Sequence, residues 1–161
     1  MAYKIPISVL VVIHTPDLQV LLIERADRPG FWQSVTGSKD TEDEALEVTA
    51  VREVREETGI DATRYPLRNW HKQNLFEIFS RWSGRFAPGT THNQEHVFSL
   101  ELPAAMPVTL APKEHLQYVW LPWHEAAEKC FSWSNVDAIR ELPERISERV
   151  HKNNVLNRGN K

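Results

Sequence analysis

The chain has 161 residues, of which 41% are hydrophobic and 25% charged, and this is enough apolar material for one domain with its own core. Its net charge of −3 and the lack of a basic stripe argue against nucleic acid as a partner. The apolar run 7–13 is too short to span a bilayer, so no membrane partner is expected. A single cysteine, Cys130, and an N-terminus without signal-peptide features predict a cytoplasmic protein.

The first half of the chain predicts buried strands followed by a long helix. Residues 7–13 form a nearly continuous β-branched run, as in a strand buried on both faces, and residues 20–23 follow after a turn. Residues 31–36 then lead into the helix. Thr41 and Glu44 have capping-box spacing, which predicts a helix start near residue 41, and Gly59 stands where a left-handed stop is expected.

The second half continues the alternation of strands and helices. Strands are predicted over 68–80, 95–102 and 117–121, and helices over 122–129 and 136–149. Asn135 is the expected cap of the last helix, and Pro143 is expected to interrupt it. This order predicts an α/β fold with helices flanking a mixed sheet. We predict one domain over residues 1–150 and a polar, frayed tail over 151–161.

Three carboxylates crowd one face of the first predicted helix. Glu53, Glu56 and Glu57 are spaced i, i+3 and i+4, so they lie within about one turn. Like charges at this distance disfavour each other's ionised form unless a cation lies among them. Because oxygen ligands favour hard divalent ions, the pattern predicts a site for Mg²⁺, with Mn²⁺ as a substitute.

The surrounding residues complete a recognisable motif. The stretch from Gly37 through Glu44 and Arg52 to Ile60 resembles the Nudix box, G-x5-E-x7-R-E-U-x-E-E-x-G-U, in which U is apolar. It departs from that pattern by one extra residue between the first glycine and the first glutamate. A loop tolerates an insertion better than a helix, so we place the extra residue within 38–42 and take Glu44, rather than Asp43, as the box position.

The Nudix resemblance implies an α/β/α sandwich with a mixed sheet and an enzyme that cleaves a diphosphate bond. Mg²⁺ among the carboxylates would favour attack of water on a polyphosphate. Glu53 and Glu57 are the expected metal ligands, with Glu56 as a third ligand or as a group supporting them. Arg52 is expected to orient a glutamate. The catalytic set is therefore predicted to be Glu53, Glu56, Glu57 and Arg52.

Segments outside the box carry a narrower resemblance. In order and spacing they are similar to those of the bacterial dihydroneopterin triphosphate pyrophosphatases of folate synthesis. These segments are Pro6–Ile13, Phe31–Ser38, Phe76–Phe79, Glu114–Leu116, Trp120–Leu121 and Ser132–Asn135. The resemblance implies hydrolysis of dihydroneopterin triphosphate to the monophosphate and pyrophosphate. Two alternatives stay open at this point: a broader (d)NTP or dinucleoside polyphosphate hydrolase, and a non-catalytic binding module of the same family.

That resemblance implies roles for further residues. Glu114 corresponds to another metal-binding carboxylate, which is favoured over the alternative of a surface glutamate. Lys4 and Arg25 correspond to cationic contacts for the triphosphate, and either could equally be a solvated surface charge. Thr36 and Ser132 correspond to hydroxyl contacts with the substrate. Phe76, Glu77, Ile78 and Phe79 correspond to the wall where a pterin ring would lie. The expected partner is a small-molecule triphosphate, and the oligomeric state stays open.

Overall fold

The computed structural model describes residues 3–158, and it describes side chains over 3–79 and 83–147. The strands are β1 (Ile7–His14), β2 (Gln19–Arg25), β3 (Trp32–Gln33), β4 (Val35–Ser38), β5 (Leu67–Glu77), β6 (His92–Glu101) and β7 (His115–Pro122). The α-helices are α1 (Leu46–Thr58), α2 (Trp123–Lys129) and α3 (Trp133–Arg158). Each strand and helix predicted from the sequence is present, with shifted ends.

The seven strands form one mixed sheet centred on β1. Strand β1 runs parallel to β6 along its whole length and antiparallel to both β4 and β2 on its other side. It pairs with β4 over Ser8–Val11 and reaches β2 only at His14, which pairs with Val20. Strand β5 extends the sheet beyond β6, and β7 pairs with β2. The sheet therefore forks beside β1, between β4 and β2.

Two hydrophobic clusters cover the two faces of the sheet. Successive side chains of a strand point to opposite faces, and in β1 Val9 and Val11 belong to one cluster while Leu10 and Val12 belong to the other. The first cluster includes buried residues of α1, and the second includes Ala126 of α2 and residues of α3. Helices thus lie on both faces, which confirms the predicted α/β/α sandwich with a mixed sheet.

Helix α1 begins later than the capping-box spacing predicts. Its first residue is Leu46, after Ala45, so the predicted start near Thr41 is wrong. Thr41 instead donates its hydroxyl to Asp43 at 2.7 Å, and Glu44 pairs with an arginine farther along the helix. The predicted end is confirmed, because Gly59 has a φ of 75° and donates its N–H to the Arg55 carbonyl.

Helix α3 is longer than predicted. Asn135 lies inside its first turn and does not precede it, and its Oδ1 accepts a hydrogen bond from the Ser34 N–H at 2.8 Å. The predicted interruption at Pro143 is also wrong. Apolar residues before and after the proline, such as Leu142 and Ile146, pack in the same cluster and hold both halves of the helix against the sheet.

The C-terminal tail is helical where the structure describes it. The tail predicted to fray over 151–161 continues α3 as far as Arg158, and residues 159–161 lie outside the described range. Within that range, no helix has the length and apolar character that crossing a bilayer requires.

Candidate active site

Helix α1 presents its three glutamates at different depths because it packs against the sheet through Ala50 and Val54. Glu57 is buried, with 5% of its surface exposed. The Glu53 side chain is 13% exposed and that of Glu56 is 55% exposed. The face therefore runs from a buried carboxylate to a solvated one, and the three groups experience different electrostatic environments.

Arg52 connects the carboxylate face of α1 to the loop that precedes the helix. Its Nη1 donates to Glu53 at 2.9 Å, and its Nη2 donates to Glu44 and to the Ser38 carbonyl, both at 2.9 Å. The guanidinium also lies 3.1 Å from an Asp40 oxygen. The hydrogen bonds that Arg52 and the Thr49 hydroxyl donate to Glu44 lower the pKa of Glu44 to about 2. Arg52 therefore ties α1, the preceding loop and the end of β4 into one unit.

The structure places Glu44, and not Asp43, against this arginine. The described contact of the Asp43 carboxylate is with the Thr41 hydroxyl, whereas Glu44 accepts from Arg52 and from the Thr49 hydroxyl at 2.6 Å. Residues 39–45 lie outside helix α1, so a loop is present where we place the extra residue of the motif.

Glu53 lies between Arg52 and Gly37. Burial raises the pKa of Glu53 to about 7, although the Arg52 hydrogen bond and charge oppose the rise. A Cβ at position 37 would overlap the Glu53 carboxylate, so this position requires glycine for close approach. The carboxylate is thereby fixed against β4.

Glu57 is a buried carboxylate without a full set of partners. The Thr36 backbone N–H donates to it, but its Oε2 has no hydrogen-bond partner among the described residues. Burial raises the pKa of Glu57 well above the usual value, and the neighbouring Glu53 and Glu114 add to the rise. An unpaired buried acceptor is costly, so this oxygen is well placed to bind a cation.

Glu57, Glu114 and His115 form a possible metal-binding group. One ligand atom from each lies within 4.8 Å of the others. Glu114 and His115 reach this position because His115 begins β7 and pairs with Arg25 of β2. Burial lowers the pKa of His115 to about 4, with a further contribution from Arg25, so the imidazole is neutral at pH 7 and can ligate a metal. The Glu53 carboxylate accepts from Arg52 at 2.9 Å and lies outside this group of described ligand atoms, although its charge interacts with that of Glu57.

Comparison with known proteins identifies the family that has this architecture. The model of the NUDIX domain matches residues 4–142. The chain belongs to the Nudix family. Dihydroneopterin triphosphate diphosphatase of Escherichia coli K12 is 45% identical over 143 residues, covering 87% of this chain and 93% of that protein. The protein of the same name from Haemophilus influenzae is 39% identical over 88% of this chain and 89% of its own length.

A solved structure agrees with the sequence comparison. The dihydroneopterin triphosphate pyrophosphohydrolase of E. coli superposes with a TM-score of 0.79 at 44% identity. The superposition covers 88% of this chain and 97% of the other. The match therefore includes both the helix of the Nudix box and the elements around it.

Cations face the carboxylates of this Nudix domain. The pKa of Lys4 is lowered, mainly because surrounding protein displaces water and also because Arg85 and Arg25 lie nearby. Glu53 and Glu57 are close enough to Lys4 to oppose this change. Arg25 is held by Asp27, through hydrogen bonds of 2.8 and 2.6 Å. Lys4 thus lies within electrostatic range of Glu53 and Glu57, and Arg25 and Arg85 lie near Lys4. The sequence analysis did not single out Arg85.

Thr36 lies between the cations and the carboxylates of the Nudix site. Its hydroxyl accepts from Gln33 at 3.3 Å, and Gln33 in turn accepts from Arg25 at 3.3 Å. Because the Thr36 N–H donates to Glu57, this residue links the cations to the buried carboxylate. The structure therefore brings together Thr36, Arg25 and Glu57, which are far apart in sequence.

The remaining predicted substrate contacts lie at the end of β5 and the start of α3. Phe76 and Glu77 end β5, Ile78 follows, and Phe79 is 64% exposed. Ser132 precedes α3, and its hydroxyl lies 3.0 Å from that of Ser134.

The sequence analysis assigned no role to two residues of this region, His115 and Arg85. His115 was included only as part of a matching segment, although its position beside Glu114 could have suggested a metal ligand. Arg85 lies in a turn-rich segment where an arginine is usually solvated.

Proposed function

We propose that this Nudix protein hydrolyses dihydroneopterin triphosphate to dihydroneopterin monophosphate and pyrophosphate. The observation that carries the proposal is the 45% identity with the E. coli diphosphatase, which covers nearly the full length of both chains. Identity of this extent includes the regions outside the Nudix box, where the group attached to the diphosphate would be recognised. The H. influenzae relative supports the same substrate.

We infer that Mg²⁺ is the metal, with Mn²⁺ as a substitute, and that Glu53, Glu57 and Glu114 hold it. The unpartnered Glu57 Oε2 and the nearby carboxylate of Glu114 fit a hard divalent cation. His115 lies within reach as a neutral nitrogen ligand. When bound, the ion would neutralise phosphate charge and lower the pKa of a water molecule.

The proposed catalytic set assigns a task to each residue around the metal. Arg52 positions Glu53 through its 2.9 Å hydrogen bond and keeps that carboxylate beside β4. Glu57 provides the buried ligand, and Glu56, half-exposed and 3.4 Å from Arg52, is a third ligand or supports the other two. Preorganised groups of this kind reduce the cost of orienting the reacting atoms.

The proposed substrate contacts divide between the triphosphate and the ring. Lys4 and Arg25 neutralise the triphosphate, and Thr36 donates its hydroxyl to it. Ser132 contacts the substrate from the start of α3, and Phe76, Glu77, Ile78 and Phe79 form a wall for the pterin. The proposed partner is thus a small-molecule triphosphate. We also propose a cytoplasmic location, which the single cysteine supports.

A product assay tests this function directly. Purified protein is given dihydroneopterin triphosphate, dATP or a dinucleoside tetraphosphate, with Mg²⁺ or with chelator. Pyrophosphate is measured for the two triphosphates, and nucleoside mono-, di- and triphosphates are separated by chromatography for the dinucleoside tetraphosphate. We expect the highest kcat/KM with dihydroneopterin triphosphate, the monophosphate as the second product, and no turnover in chelator. A higher kcat/KM with dATP or the dinucleoside tetraphosphate would contradict the proposal and support the broader hydrolase. No turnover of any substrate would support the binding module.

A further inference from the structure

Glu95 is a buried carboxylate on the face of the sheet opposite α1. It lies in β6 two residues before Val97, and residues two apart in a strand share a face. Val97 packs in the cluster that includes α2 and α3, and Glu95 itself is only 4% exposed. Among the described side chains, no lysine, arginine or histidine forms an ion pair with it. Its partners are the neutral Ser134 hydroxyl and the Asn74 amide, the latter at 3.5 Å.

Other buried polar groups lie on or beside the strand and helix that contact this carboxylate. The Asn93 amide donates to the Ser8 hydroxyl at 2.8 Å, and Asn93 is two residues from Glu95 on the same strand face. Ser34, whose N–H donates to Asn135 next to Ser134, is 1% exposed, and its hydroxyl has no hydrogen-bond partner in the described part of the chain. A core position would ordinarily be apolar, so a concentration of polar groups with an unsatisfied member indicates a ligand-binding function.

The polar cluster connects to the proposed ring wall. Ser134, which contacts Glu95, also lies 3.0 Å from the half-exposed Ser132, so a chain of hydroxyls leads from the buried carboxylate toward the surface. Phe76 pairs with Asn93 in the β5–β6 register, and paired residues lie side by side on one face of a sheet. A ring lying along Phe76 would therefore have Glu95 next to its edge.

The chemistry of a carboxylate selects a particular ring edge. A 2-amino-4-oxo pteridine has a ring N–H and an amino N–H that point in the same direction, and two parallel donors match the two oxygens of a carboxylate. We propose that Glu95 binds this edge and thereby selects the 2-amino-4-oxo ring. The inference rests on the proposed function, because it takes a pterin triphosphate as substrate. Burial raises the pKa of Glu95, so a pair of donors would relieve the cost of its charge.

Substrates that differ in this edge test the proposal. Guanine has the same pair of donors, whereas adenine has an amino group beside a bare ring nitrogen. We expect Glu95→Gln to lower kcat/KM for dihydroneopterin triphosphate and for dGTP by about 10- to 100-fold, while the value for dATP changes by less than about twofold. Glu128→Gln, on the exposed side of α2, is the matched control and should change none of the three.

A binding measurement on the wild-type protein needs no variant. Pterin and lumazine are both fluorescent, and lumazine has an oxo group in place of the 2-amino group. We expect pterin to bind at least about tenfold more tightly than lumazine without metal, and this difference to disappear in Glu95→Gln. If the glutamine variant does not fold, Glu95→Asp replaces it, because it keeps the charge but draws the carboxylate back from the ring. The preference for pterin over lumazine should then also decrease.

The outcomes separate this inference from the proposed function. Equal binding of pterin and lumazine by the wild-type protein, or an equal loss with all three triphosphates in Glu95→Gln, would overturn the role of Glu95 in ring selection. A wild-type preference for dATP over dihydroneopterin triphosphate would instead overturn the proposed function.

Discussion

The Glu53 carboxylate of α1 lies against the backbone of Gly37 in β4, in the space that a Cβ at position 37 would occupy. Gly37 has no left-handed φ, so the contact itself explains why glycine is needed there. Arg52 holds the same carboxylate from the other side. The Glu53 carboxylate is therefore held between Gly37 and Arg52.

Gly37→Ala should therefore displace the Glu53 carboxylate. We expect kcat to fall at least about tenfold, because the new methyl group occupies the position of the carboxylate and weakens its contact with Arg52. The Tm should change little, since the displaced atoms are the end of a flexible side chain. Gly84→Ala is the control, because a Cβ there meets no described atom within 4 Å. Unchanged kcat in Gly37→Ala would show that the Glu53 position does not matter for catalysis.

Glu57→Gln keeps the size of the side chain and removes one buried charge. We expect kcat to fall to less than about a tenth of wild type, a loss of more than about 1.4 kcal/mol of transition-state stabilisation. In chelator the variant should melt at a higher temperature than wild type, because it no longer buries a carboxylate without a counter-charge. Mg²⁺ should raise the Tm of wild type but not of the variant. A variant that keeps more than a tenth of kcat would contradict the assignment.

The loop before α1 allows the two candidate box acids to be compared. Glu44 contacts Arg52, whereas the described contact of Asp43 is with Thr41. Glu44→Gln should lower kcat or metal affinity more than Asp43→Asn does, since it loosens the arginine that positions Glu53. The comparison requires kcat and the Mg²⁺ dependence of both variants. The opposite ranking would show that Asp43 occupies the box position.

Glu44 should also make stability depend on pH in the acid range. Its pKa is lowered to about 2 in the folded protein, so folding favours the ionised form. The stability gained is present above the unfolded value of about 4.5 and is lost as the pH falls through 2. Glu44→Gln should therefore be less stable than wild type at pH 7, and the two should converge toward pH 2. Urea unfolding at several pH values measures this, and a difference that stays constant with pH would contradict it.

Phe79 is the exposed end of the proposed ring wall. Phe79→Ala should reduce the ratio of kcat/KM for dihydroneopterin triphosphate over dATP, because an aromatic face that contacts the ring is lost. The Mg²⁺ dependence should not change. Leu75→Ala on β5 is the control, since Leu75 is 62% exposed and Phe79 is 64% exposed. Equal effects on both substrates would exclude Phe79 from ring recognition.

Local patterns in the sequence predicted the elements well where the physical cause is local. The β-branched run of β1 and the glycine at the end of α1 depend on neighbouring residues, and both predictions are confirmed. The helix start was wrong because Glu44 is bound by Arg52, eight residues away, and is not available for a capping box.

Contacts between residues that are far apart in sequence could not be predicted in the same way. Glu57 and His115 are 58 positions apart in sequence, and they approach only because β7 pairs with β2. Glu95 and Ser134 meet because α3 packs on the face of β6. In sequence each is one polar residue among many, and such residues are usually at the surface. The Nudix motif indicated the helix of the carboxylates, but it contains neither Glu95 nor His115.

The separation of α1 and α3 on opposite faces of the sheet has a consequence for engineering. Side chains on the two faces share strands but do not pack against each other. A combinatorial library restricted to the α3 face of β5 and β6 would thus leave Arg52, Glu53 and Gly37 in their present arrangement. Variants from such a library could be screened for new triphosphate substrates with one pyrophosphate assay.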